Sequence, residues 1–163
     1  MTMSIRSLCV ALALLLSLPL AAAENPPMHA QFLPPDEAEV RGDAPDQQQL
    51  MQVTEYSVVL GNQRQSNQQP IPITTPALLR LKGKALNKGA QIRQVLISFD
   101  AEGKSLKKPT YDGKTRTLNL YYPLSAYPQL IDLLRNNTVY CQFLSYPSGH
   151  IWADLHTGAV RAR

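Results

Sequence analysis

Residues 139–157, VYCQFLSYPSGHIWADLHT, read as two alternating runs joined by Tyr-Pro-Ser-Gly. A type I turn over Tyr146, Pro147, Ser148 and Gly149, with Gly149 in the left-handed bulge position, sets Tyr146 opposite His150. The register then places Leu144 opposite Trp152, Gln142 opposite Asp154 and Tyr140 opposite His156. Alternate strand residues share a face, so these eight side chains lie together. The other face carries Val139, Cys141, Phe143, Ile151, Ala153 and Leu155 and is almost wholly apolar. A slip of one residue would mix the two sets, so burial of the apolar face selects this register. The result is a ribbon with a core side and a second side bearing His150, His156, the single Trp152 and two tyrosines.

Working outward, the segment before the ribbon predicts a helix. Ser125 is positioned as its N-cap and Pro128 falls in its first turn, where a missing N–H costs little. Leu124, Tyr127, Leu130, Ile131 and Leu134 recur at helical spacing, and Asn136-Asn137 ends the pattern. Upstream, strands are predicted over 53–60, 77–84, 92–99 and 115–122. A turn is expected at Asn87-Lys88-Gly89, and Asp112-Gly113 supplies another, because Asp-Gly readily adopts positive φ. Short connections favour antiparallel neighbours. The expected fold is α+β: a mainly antiparallel sheet of about six strands, with one amphipathic helix between strands four and five. A β-sandwich with a connecting helix is the nearest rival.

The start of the chain indicates export. Arg6 is the only charge in the first 23 residues and precedes the apolar run Val10–Leu16, which is followed by Pro19 and Ala21-Ala22-Ala23. This is the pattern of a cleavable signal peptide over 1–23, with cleavage expected after Ala23. The run is too short and too interrupted for a membrane span, so no stable span is expected after cleavage. Removing Arg6 takes the basic count from 16 to 15 against 12 acids, so the formal charge falls from +4 to +3. Removing Cys9 leaves Cys141 alone, which excludes an internal disulfide and leaves stability to packing. The expected location is the periplasm or beyond. Residues 24–49, rich in proline, glutamine and acids, predict a mobile leader, and 50–163 a single globular domain.

Catalytic motifs are sparse. Asp154 and His156 share a strand face and are metal-ligand types, which suggests a metal-assisted hydrolase as one alternative. His150 lies six residues from His156, roughly 20 Å at about 3.3 Å per residue, so the two imidazoles cannot share an ion. His29, the remaining histidine, sits in the leader. Ser148 lacks the strand-to-helix context of a nucleophile elbow, and no phosphate loop, dinucleotide fingerprint or other cofactor motif occurs. No catalytic residue, metal ligand or cofactor is therefore assigned. Arg80, Lys82 and Lys84 form a basic stripe suited to anionic envelope glycan, a second alternative, although lysines on an outer strand also discourage aggregation. Nucleic acid does not fit an exported chain of modest charge without a recognition motif. The leading expectation is a small, non-enzymatic protein-binding module, acting as an inhibitor, an immunity-like protector or an accessory subunit. Its partner would be another periplasmic or secreted protein. The expected binding residues are Tyr140, Gln142, Ser148, His150, Trp152, Asp154 and His156, since aromatic groups concentrate at interfaces.

Overall fold

The computed structural model describes residues 29–42, 44–61 and 76–158. The expected signal peptide lies outside these residues. A short helical turn, α1 (Ala38–Arg41), precedes β1 (Gln47–Leu60), β2 (Ala77–Ala85), β3 (Gln94–Asp100), β4 (Thr110–Asp112) and β5 (Thr117–Pro123). Helix α2 (Tyr127–Asn136) follows, then β6 (Val139–Ser145) and β7 (Ile151–Thr157). The strands form one curled sheet of seven in the order β4-β5-β3-β2-β1-β6-β7. Among the described residues no helix is long and apolar enough to cross a membrane.

The α+β class and the sheet-rich composition agree with the sequence, and three details do not. The sheet is mixed, because β3 and β5 run parallel with Val95 opposite Leu118 and Ile97 opposite Leu120. The helix follows the fifth strand, because the Asp112-Gly113 turn closes a hairpin in which the short β4 pairs with β5. Strand β1 begins at Gln47 instead of Val53, so the glutamine run Gln47-Gln48-Gln49 pairs with Ser145, Leu144 and Phe143.

One of these glutamines serves the strand because its side chain replaces missing backbone partners. Gln49 is buried, and its Oε1 accepts the amides of Gln91 at 2.8 Å and Ile92 at 3.0 Å. Asn87, in the expected turn, accepts the Leu50 amide at 2.8 Å and donates to the Gln48 carbonyl at 3.2 Å. A bulge between Val53 and Glu55 brings β1 against Gly83. A Cβ there would lie 2.0 Å from the Gln52 carbonyl oxygen, so only glycine fits.

The core lies on the face covered by α2. Leu79, Leu81, Val95, Ile97, Phe99, Leu118, Leu120, Cys141 and Phe143 are buried there, and Tyr127, Leu130, Ile131 and Leu134 of α2 pack on them. Each such aliphatic or aromatic side chain contributes about 1.5–3 kcal/mol by leaving water. The Tyr127 ring meets Phe99 edge-on at 5.3 Å. Ser125 does not cap the helix with its side chain. A 3-10 turn (Leu124–Ala126) leads into α2, and the Ser125 amide donates to Glu102 Oε1 at 2.8 Å. A carboxylate thus meets the electropositive end of the helix from a distant loop.

Candidate functional site: the ribbon face and its strap

The β6–β7 ribbon has the register read from its sequence, with Tyr140 opposite His156, Gln142 opposite Asp154 and Leu144 opposite Trp152. The turn is also as expected. The Gly149 amide donates to the Tyr146 carbonyl at 2.8 Å, the Tyr146 amide to the His150 carbonyl at 3.0 Å, and Gly149 has φ 81°. Phe143 and Trp152 therefore face opposite ways. Ser148 serves the turn, its Oγ accepting the His150 amide at 3.3 Å.

The second face is not open. Residues 29–42, expected to belong to a mobile leader, fold back across it as a strap of two 3-10 turns (Ala30–Phe32 and Pro35–Glu37) and α1. One end is anchored on His156. The Phe32 ring stacks on that imidazole at 4.0 Å, and His29 Nδ1 lies 2.6 Å from His156 Nε2. The other end is anchored by Glu37 Oε2, 3.1 Å from His150 Nε2. The separation that forbids the two ribbon histidines a common ion lets them hold opposite ends of one strap. Arg41 closes the strap on itself by donating to the Pro34 carbonyl at 2.7 Å. Composition concealed this arrangement because every anchoring partner lies more than 100 residues away.

Under the strap runs a hydrogen-bonded series. Trp152 Nε1–H donates to Asp154 Oδ2, and Asp154 Oδ1 lies 2.5 Å from His156 Nδ1. The carboxylate favours the proton on Nδ1 and so leaves Nε2 to meet His29. Same-strand neighbours two residues apart reach one another because the carboxylate sits centrally between indole and imidazole. Both Asp154 oxygens are thereby engaged, and Asp154 orients the His156 ring. Among the described residues no group of three or more His, Cys, Asp or Glu could hold a metal ion. Burial, followed by the neighbouring His156, lowers the pKa of His29 below its ordinary value, against an opposing pull from Asp154.

The middle of the row is sealed. Leu144 and Gln142 are each 1 % exposed and Tyr146 is buried. Neither the oxygen nor the nitrogen of the Gln142 amide finds a hydrogen-bond partner among the described residues, and the Tyr146 hydroxyl is likewise unpartnered. Of the expected binding residues, the structure brings Trp152, Asp154, His156 and Tyr140 together. It buries Gln142 beside them and leaves Ser148 and His150 at the turn end.

Two further surfaces escaped the sequence reading. Among the described residues, β1 beyond Gln52 pairs only with β2, because the ladder to β6 stops at Gln52–Tyr140. Val59 and Leu60 on that arm are 61 % and 64 % exposed. The second surface is a cleft of about 650 Å³ beside Lys82, Arg93 and Arg116. In the basic stripe itself, Lys82 Nζ pairs with Glu55 at 2.7 Å across the strands. No protein family, curated protein or solved structure matches the chain.

Proposed function

We propose that this chain is a small exported, non-enzymatic protein-binding module that docks a periplasmic or secreted partner on the β6–β7 ribbon. Residues 29–42 are then an occupant in cis that the partner displaces. One observation supports the reading: the buried Gln142 amide has no hydrogen-bond partner among the described residues while the strap lies across its row. Burying a polar group without a hydrogen bond costs about 1–3 kcal/mol, so the strapped state is compromised at the centre of the face. A partner that meets Gln142 and the Tyr146 hydroxyl would recover that cost and stack on Trp152 and Tyr140, residue types that dominate interface energetics. Inhibitor, immunity-like and accessory roles all use this docking.

The test is affinity capture from periplasmic extract followed by titration of the captured partner. Opening the strap with Phe32→Ala and Glu37→Gln together raises the apparent affinity, because the competent fraction of the protein rises. Trp152→Ala lowers it at least tenfold. If strap opening leaves the affinity unchanged while Leu60→Lys abolishes it, docking occurs at the open β1 edge and the ribbon reading is wrong.

A further inference from the structure

The parallel pairing of β3 and β5 has a local effect at the end where both strands begin. One step before the Gln94–Thr117 pair, the Arg93 amide donates to the Arg116 carbonyl at 3.0 Å. Two arginines are therefore neighbours across a ladder whose strands lie about 4.8 Å apart. Like charges so placed repel, and among the described residues neither has an ion-pair partner. The nearby Glu55 is engaged by Lys82. Arg116 also has φ 56°, a left-handed conformation that disfavours any residue with a Cβ. The preceding turn holds it there. Asp112 Oδ1 accepts the Lys114 amide at 2.8 Å, and its Oδ2 accepts the Thr115 hydroxyl at 2.8 Å. Glycine would meet the backbone requirement without strain, yet the chain places a guanidinium there. Residues held in such conformations cluster at ligand sites.

Both arginines line the 650 Å³ cleft, whose other wall is the bulged stretch of β1 with Thr54 and Glu55, opposite Lys82 and Gly83, the Glu55 carboxylate being offset by its ion pair with Lys82. We propose that this cleft binds a phosphate group through Arg93 and Arg116. Paired guanidinium forks match the oxygens and the double charge of a phosphate monoester, and the ligand cancels the repulsion between them. The cleft exceeds the volume of a bare phosphate and includes Ala85, Ala90 and Ile92 in its lining, so the group is carried on a larger body. This site is separate from the ribbon and does not depend on the docking proposed there.

The experiment is an amide NMR titration of the purified protein with inorganic phosphate and with glycerol 3-phosphate at constant ionic strength. The expected result is saturable shifts at Arg93, Gln94, Arg116 and Thr117 with both probes, glycerol 3-phosphate binding the tighter. Equal binding of the two would support a site for free phosphate with the same chemistry. Arg116→Gly keeps a dispersed spectrum and melts no lower than the parent, because glycine accepts the left-handed backbone, yet it loses at least tenfold in affinity. Arg93→Gln gives the same loss without touching that backbone. Absence of saturable shifts with both probes, or unchanged affinity in either variant, would overturn the proposal.

Discussion

His29 Nδ1 stands 2.6 Å from His156 Nε2, although 127 residues separate them. Such a separation between ring nitrogens requires a proton between them, one imidazole donating and the other accepting. Asp154 on the far side of His156 fixes which nitrogen is free to take part. The strap is thus tied to the ribbon by an imidazole–imidazole hydrogen bond that needs one ring nitrogen left to accept, and by a second contact, Glu37–His150.

Acid therefore loosens one end of the strap. Burial, with His156 second, holds the pKa of His29 below its ordinary value of 6.5. The undocked strap then takes up protons more readily than the docked one, so docking is at full strength above about pH 6.5 and weakens as pH falls towards the depressed native value. Amide exchange at Ala30–Leu33 should quicken over that window while Glu37 stays protected. In imidazole NMR the His29 midpoint lies below 6.5. A midpoint at or above 6.5, with Ala30–Leu33 still protected at pH 5, would contradict this.

Gln49 should be worth far more to stability than its neighbour Gln48. Its Oε1 is the acceptor for two amides, so Gln49→Leu strands both donors and costs about 3 kcal/mol. Gln48 contributes only its main-chain carbonyl to Asn87, so Gln48→Leu leaves that bond intact and shifts stability little. Urea denaturation of the two variants separates the cases. Equal midpoints would show that the Gln91–Ile92 turn does not depend on Gln49.

These glutamines mark the limit of what the sequence reveals. Local alternation predicts the ribbon down to individual pairs, since burial penalises any slip at Phe143 or Cys141. Helix α2 is readable from the spacing of Leu130, Ile131 and Leu134. Where a side chain is used over a long sequence distance, no local pattern records it. Gln49 caps a turn 42 residues away, Glu102 meets the start of the helix from another loop, and His29 reaches across nearly the whole chain. The parallel β3–β5 pair was hidden for a related reason. Three residues, Thr110–Asp112, are too few to show a periodicity, and without them the order of strands changes.

The single thiol of the folded domain should be inert. Burial, with a lesser contribution from Asp154, raises the Cys141 pKa well above its ordinary value, and the side chain is wholly enclosed between the sheet and α2. Only the thiolate is an effective nucleophile, so labelling by a disulfide reagent should proceed no faster than unfolding at neutral pH. Adding denaturant should accelerate it in step with loss of structure. Stoichiometric labelling of the native protein within seconds would place Cys141 at a reactive site.

Replacing Gln142 separates stability from binding. The side chain is 1 % exposed and both its polar atoms lack partners among the described residues, so Gln142→Leu exchanges a penalised amide for an apolar group of similar size. Stability should rise by about 1–2 kcal/mol. The strap should seat more firmly on the ribbon, and protection at Ala30–Leu33 should increase with it. A partner that needs the amide, and must lift the strap to reach it, should then bind more weakly to a more stable protein. If Gln142→Leu instead destabilises the fold by more than 1 kcal/mol, the amide is bonded in solution and the ribbon loses the feature that marks it as a docking face.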